Sequence, residues 1–520
     1  MRALVLLLVA LAPLTAQAEP LSLGRNLNGR LVADVFATAF AFMAPRTLDP
    51  VPIPTLALWA LGGLSTLDAA LQPELRDGVV RLNVPGAVLA ERAAPAAGDA
   101  QGWGEAVAAM VRAGWLGSEP VRQAGTQRIV AALFDELCSH LDPYSRYAPP
   151  GTADADRVRR AGAAGIGVRV AVRDGGIVLH EVAPGSPAAV AGARAGDRLL
   201  AVDGADVAGA DLETVTGLLA GLEGTQVMLT LQTGRAEARD VPVARVLMPP
   251  PTVASERRGD VLVVRVSGFT SDTGPRLAQA LADALAGPHR PRGVVIDLRG
   301  NRGGLLRQAV AAAETMLPDG VVALTVGRDP DSVHSFVAHG VDLAGGLPTV
   351  VVVDGRSASS AEILAAALAD QHRAVVVGSS TLGKGVVQTV APLPDGGELL
   401  VSWSRVIAPL GWPLQGLGVL PQVCTSLGAP ALEQQLARLA QGVQPMAHAL
   451  ARHRAARPPL MPTEILEIRN ACPAAEGRDL DFFAARRLIH DPGAYAAALL
   501  GPPPASVAAA EAAGAVGPGR

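Results

Sequence analysis

The chain has 520 residues, 49% hydrophobic and only 3% aromatic, with 57 glycines, 41 prolines and a formal net charge of −4. That length calls for two to four domains. The charge gives no basis for nucleic-acid binding, and without a Gly-X-Y period the glycines and prolines do not mark a fibrous protein.

Met1-Arg2 gives a short positive start. Ala3–Leu14 is an apolar run too short to span a bilayer, and Ala16-Gln17-Ala18 is a small-x-small cleavage pattern. Residues 1–18 therefore read as a signal peptide cleaved after Ala18, the plainer alternative being an uncleaved anchor. The mature chain is expected to be periplasmic or secreted, with no integral membrane segment. Export makes a disulfide available, and Cys424 and Cys472 are the expected pair, with Cys138 left free in an apolar helix. No Cys or His cluster has zinc spacing, so neither a metal nor another cofactor is expected.

Residues 19–158 read as an N-terminal helical region broken by prolines. Leu31–Met43 has apolar residues at helical spacing and stops before Pro45. Thr126–Leu141 carries an apolar stripe of Ile129, Val130, Leu133, Phe134, Leu137 and Leu141, and the turn Leu141–Tyr147 closes it.

Residues 159–247 change character. Gly165-Ile166-Gly167-Val168 opens an extended segment. Gly176–Val182 is a strand, and Pro184–Ala188 is a turn leading to a short helix at Ala189–Ala193. Gly196–Gly204 is a strand ending in Asp-Gly, Leu212–Leu222 a helix and Gln226–Leu231 a strand. In order and spacing these elements resemble a PDZ domain. Backbone N–H groups of the Gly165–Val168 loop would receive a peptide's terminal carboxylate, and the next strand edge would accept the peptide as an added strand. The expected partners are protein or peptide substrates bound by their C-termini. An adaptor protein and a homo-oligomer stay open, and no nucleic acid is expected.

Residues 248–424 alternate apolar strands with helices. Asp260–Ser267 is a strand and Ser271–Leu285 a helix. Gly293–Leu298 reads as a buried parallel strand, ending in Arg299-Gly300-Asn301-Arg302-Gly303-Gly304. A helix over Leu305–Met316 and strands at Val321–Val326, Thr349–Val353 and Ala374–Val377 complete an α/β layer, with sites expected at the strand C-terminal ends. Residues 425–500 form a C-terminal helical region, with helices at Pro430–Ala440 and Asp479–Leu500, the latter interrupted at Pro492. Residues 501–520 read as a disordered tail.

Two turns in this layer carry candidate chemistry. Gly355-Arg356-Ser357-Ala358-Ser359 lacks only the last glycine of a G-x-S-x-G nucleophile elbow, whereas Ser359-Ser360-Ala361-Glu362 also fits a capping box in which the serine only caps the helix. Gly378–Lys384 matches seven positions of a phosphate-binding loop. The eighth, Gly385, cannot hold magnesium, and the β-branched residues that follow read as a strand where a helix is required. What remains is a lysine between two glycines: either a surface turn residue or, if buried, an amine whose lowered pKa makes it a general base toward a serine. The N–H after the serine, at a helix N-terminus, suits an oxyanion.

The tracts Asp297–Leu306 (DLRGNRGGLL), Gly355–Ile363 (GRSASSAEI), Ala369–Thr389 and Leu414–Val423 (LQGLGVLPQV), with Leu141–Tyr147 ahead of a PDZ domain, resemble the carboxy-terminal processing peptidases, also called tail-specific proteases. The resemblance covers roughly Thr126–Cys424. It implies a PDZ domain joined to an α/β serine-protease core with a ClpP/crotonase-like layer, helical at both ends, in an α/β and α+β multidomain chain. It places the nucleophile on Ser359, the general base on Lys384, a supporting glutamine on Gln388, and oxyanion donors on Gly303 and Ser360. The implied activity is that of an exported serine endopeptidase that processes or degrades periplasmic proteins from the C-terminus; the alternative is an inactive PDZ scaffold. Three positions depart from the family pattern: Arg302 replaces the usual Pro, Leu382 the usual Phe before Gly-Lys-Gly, and Gln422 the usual Asp. They bear on substrate preference more than on activity. Asp370 matches an acidic position of some members, but eleven residues of helix is about 16 Å, so a structural role is expected for it.

Overall fold

The computed structural model describes residues 26–183 and 185–499. The signal peptide read in 1–18 and the tail read in 501–520 lie outside them. The chain divides into two compact units: one comprises residues up to 45, 50–149 and 390–400, the other 46–49, 150–389 and 401 onward.

In the first unit the helix Gly29–Met43 packs along Ala100–Gly117, and Ile53–Leu67 along Glu119–Ser139. The contact is close because Gly63 lacks a side chain; a Cβ there would lie 2.4 Å from the Ala132 carbonyl oxygen. The unit is not purely helical as expected. Gln72–Arg76, Val79–Val84 and Ala87–Ala93 form an antiparallel three-stranded sheet. Within these short strands only Val80 and Leu82 are fully buried, so the period-2 signal is faint. Asp77-Gly78, both at positive φ between paired Arg76 and Val79, is the hairpin signal in the sequence.

In the second unit, residues 163–248 contain the sheet of the PDZ region. Its order is Arg239–Ala244, Gln226–Gln232, Arg198–Val202, Gly176–Val182, Val168–Arg173, so Val168–Arg173 is an edge strand, and the helix Leu212–Leu219 packs against it. Ile166, Leu179, Val202 and Leu229 fill the core beneath.

The larger sheet runs Val253–Arg258, Val261–Val266, Gly293–Asp297, Thr349–Val353, Val375–Gly378, Val423–Cys424, with the first pair antiparallel and the rest parallel. The valine runs are continuous because both faces are covered. Val351 and Val353 join Leu277, Ala309 and Leu364 on one side, while Val350 and Val352 join Leu436, Leu488 and Ala494 on the other. Burying one such valine contributes about 1.5–3 kcal/mol. One expected strand belongs elsewhere: Val321–Gly327 pairs antiparallel with His334–Val337 and with Ser404–Ile407, in a second sheet. Its apolar run satisfies either sheet, and its partner Ser404–Ile407 arrives some 80 residues later.

Candidate active site

The strand Thr349–Val353 delivers the serine turn. Buried Asp354 accepts the N–H groups of Gly300, Arg356 and Ser357 on one oxygen, each at 3.0 Å. Ser357, fully buried, donates its hydroxyl to the Leu298 carbonyl at 2.8 Å. Ser360 donates its hydroxyl to the Gly304 carbonyl at 2.9 Å. Between them Ser359 is half-buried and sits at φ 56°, ψ −118°, at the junction with the helix Ser360–Asp370. A non-glycine residue held there stores on the order of 1–3 kcal/mol, the kind of strain found at nucleophile elbows.

The glycine loop closes against this turn. Asn301, without solvent exposure, donates to the Val266 carbonyl at 2.7 Å, while its own carbonyl accepts the Ala358 N–H at 2.8 Å. Gly303, at φ 92°, lies so near the serine that a Cβ on it would be 2.8 Å from Ser359 Cβ and 3.0 Å from Ser360 N. Its N–H donates to Asn301 Oδ1 at 2.8 Å, so it must leave that bond to serve an oxyanion. The Ser360 N–H stands at the N-terminus of the helix, where the helix dipole favours negative charge.

The neighbouring parallel strand Val375–Gly378 delivers the lysine turn. Lys384 is half-buried, and its Nζ donates to Gln388 Oε1 at 3.2 Å. The strand Val386–Pro392 follows directly, in place of the helix a phosphate loop needs. The flanking glycines serve close approach: a Cβ on Gly385 would lie 2.0 Å from Gln415 N, and one on Gly383 would lie 2.9 Å from the Gly416 carbonyl oxygen.

Glu362 joins the two turns. Its side chain has no solvent exposure. One oxygen accepts the Ser359 N–H at 2.7 Å and the Lys384 N–H at 2.9 Å. The other accepts the Gly383 N–H at 2.7 Å and the Thr381 hydroxyl. Burial pushes this carboxyl above the ordinary glutamate range, against the pull of those donors. The sequence shows Glu362 only as the end of a capping box; its bonds to the lysine turn span 19 to 22 residues. A second signal lay in the composition. Lys384 is the single lysine among 44 basic residues, in a chain that otherwise uses arginine. Arginine cannot deprotonate in a protein, whereas lysine can.

The C-terminal region, read from sequence as helices alone, braces both turns. Ser380 donates its hydroxyl to the Cys472 carbonyl at 2.6 Å and Ser379 to the Ala475 carbonyl at 3.0 Å. The Ala475 carbonyl also accepts the Gly355 N–H at 2.8 Å, and the Gly477 N–H reaches Asp354 at 3.2 Å. Arg469 donates to the Thr381 carbonyl at 2.7 Å. Cys472 is disulfide-bonded to Cys424, the expected pair, and Cys138 is a free, buried thiol pushed up to about 12 by burial. Asp370, at the far end of the helix, is buried against Arg454 at 2.9 Å and accepts the Trp412 indole N–H at 2.8 Å. It is a structural ion pair. Burial raises its carboxyl, with Arg454 as the main opposing influence. His453 packs edge-on to Trp412, donates to the Gly418 carbonyl at 2.8 Å and is held neutral, its pKa driven down to about 3 by burial.

In the PDZ region the carbonyls of Ile166 and Gly167 are taken by the N–H groups of Ala188 and Ala183, at 3.0 and 2.8 Å. Gly167 needs its positive φ of 80°, and a Cβ there would strike Ser186 at 2.2 Å. Gly165 pairs with Val246 as ordinary strand, so its freedom is not used. Val168 begins the edge strand. Among the described residues no helix is long and apolar enough to cross a membrane, and no cluster of acidic, His or Cys residues suits a metal.

The profile of peptidase family S41 matches residues 260–425, and that of the PDZ domain residues 179–233. A carboxy-terminal-processing protease of Bartonella bacilliformis is 32% identical over 308 residues, covering 58% of this chain and 71% of the relative. A probable CtpA-like serine protease of Staphylococcus aureus is 32% identical over 317 residues, covering 59% of this chain and 62% of the relative, just under two thirds of its length. Among solved structures, a photosystem II D1 C-terminal processing protease is 28% identical, covering 71% of this chain and 92% of that one at a TM-score of 0.34.

Proposed function

The chain belongs to peptidase family S41, the carboxy-terminal-processing proteases, and is a serine-type peptidase; from that premise we propose that Ser359 and Lys384 form its catalytic dyad, fed by a PDZ domain that captures substrate C-termini. One observation carries the reading. Of the three clustered serines, two have their hydroxyls bonded to backbone carbonyls, while the third is strained at φ 56° and tied through Glu362 to the turn of the chain's only lysine.

In this reading each group has one role. Ser359 Oγ attacks the scissile carbonyl while neutral Lys384 Nζ takes its proton. Gln388 Oε1 accepts from Nζ and so orients its lone pair toward the serine. The oxyanion forms beside the Ser360 N–H, joined by the Gly303 N–H as that donor leaves Asn301. Lysine then protonates the leaving amine, and water, activated by the same amine, releases the acyl group. The Gly165-Ile166-Gly167-Val168 loop receives the substrate's carboxylate, with the peptide added along the edge strand from Val168. The apolar N-terminal run and cleavage pattern support export to the periplasm or the medium, where C-terminal processing or degradation of proteins takes place.

To test this, an unfolded protein with a free or amidated C-terminus is offered to the parent, Ser359→Ala and Lys384→Arg. Cleavage is expected only from the parent, and faster with the free C-terminus. Equal cleavage by all three would remove the dyad; equal rates for the two substrates would remove carboxylate capture.

A further inference from the structure

We propose that Arg302 and Arg307 select substrates carrying an acidic residue beside the scissile bond, next to a large apolar side chain held in an adjoining pocket. This rests on the Ser359 site argued above and adds the substrate class to it. The pocket, about 350 Å³, is lined by Leu305, Leu306, Phe336, Val387 and Trp403, with Arg307 also on its wall. None of the site residues lines it, but two of its lining residues are close chain neighbours of the site. Leu305 is two residues from Gly303, whose Cα lies against Ser359, and Val387 precedes Gln388. A larger cavity, about 730 Å³ among Asn26, Arg30 and Trp115, belongs to the other unit, and none of its lining residues neighbours a site residue in the chain.

Arg302 follows buried Asn301, which is pinned by its bonds to Val266 and Ala358, and its Cα is one residue (about 3.8 Å) from the glycine that touches the nucleophile turn. Both Arg302 and Arg307 are exposed, and neither makes an ion pair among the described residues. Nearby arginines are different: Arg299 is held by Asp297 and Asp481, and Arg356 by Glu476. Two unpaired guanidinium groups beside an apolar pocket complement a carboxylate beside an apolar side chain, and repel a lysine or arginine in the same place.

The test uses peptides sharing one C-terminus, with Glu, Gln or Lys placed next to Leu or Ser at the cut site. We expect the parent's kcat/KM to favour Glu over Lys at least tenfold at low ionic strength, and Leu over Ser at the neighbouring position. The Glu/Lys ratio should shrink in high salt, approach one in Arg302→Gln with Arg307→Gln, and invert in Arg302→Glu. A parent ratio of one, or an unchanged ratio in the variants, overturns the charge selection; equal cleavage of the Leu and Ser peptides overturns the pocket assignment. Ser359→Ala separates the two readings. If it cuts like the parent, the dyad fails; if cleavage needs Ser359 but shows no charge preference, only this inference fails.

Discussion

Replacing Glu362 by Gln changes one atom of the clamp between the two turns. The carboxylate accepts four hydrogen bonds, two on each oxygen. In the amide one oxygen becomes an NH2 group. It then faces either the N–H groups of Ser359 and Lys384, losing two bonds, or the Gly383 N–H with the Thr381 hydroxyl, losing one while the hydroxyl turns to accept. Hydrogen bonds to a charged acceptor contribute about 1.5–3 kcal/mol each, so losing one or two costs about 1.5–6 kcal/mol. If that loss falls on the geometry of the dyad, kcat/KM drops roughly 10- to 10⁴-fold. The assay is peptide cleavage beside a thermal melt, with Glu362→Asp as a partial rescue. Cleavage within twofold of the parent, with only the melt lowered, would refute the clamp as a positioning device. The pH dependence has a defined sign. Because burial raises this carboxyl above 4.5, the acid limb of activity should lie above ordinary glutamate titration and vanish in Glu362→Gln. Stability moves the other way. The folded chain holds that proton more tightly than the unfolded one, so the group's contribution is full below 4.5 and lost as pH rises through the folded value.

Gly303→Ala places a Cβ 2.8 Å from Ser359 Cβ at a φ of 92°, and turnover should fall at least a hundredfold, measured as kcat on a peptide. Asp370→Ala leaves Arg454 buried without its partner; unfolding should become about 3–5 kcal/mol easier by denaturant titration, while kcat below the melt is unchanged. Reducing the Cys424–Cys472 link, or Cys472→Ser, opens a loop of 48 residues. The loss should be up to about 4 kcal/mol of stability, with kcat falling because the Cys472 and Ala475 carbonyls hold the lysine turn; identical melts and rates with and without reductant would exclude the brace.

The valine runs at Gly293–Asp297 and Thr349–Val353 disclosed a sheet covered on both faces, since only there does the period-2 signal vanish. They did not say which sheet takes Val321–Gly327, because pairing is a matter of tertiary neighbours. The serine and lysine turns were visible as suspicious sequences, each with a bland explanation. Their meeting was not, because it depends on Glu362 bonds over about 20 residues and on a brace more than 90 residues away. The choice among Ser357, Ser359 and Ser360 rested on resemblance alone in the sequence. In the structure it gains a physical argument: two hydroxyls are committed to carbonyls, and the third sits on the strained residue.

The most direct test of the dyad is to treat the folded protein with a peptidyl electrophile that acylates activated serines and to map the adduct by tandem mass spectrometry. A single adduct on Ser359 is predicted in the parent, and none at comparable rate in Lys384→Arg, whose guanidinium cannot give up a proton and so cannot serve as the base. An adduct on Ser357 or Ser360, or labelling undiminished in Lys384→Arg, would contradict the assignment.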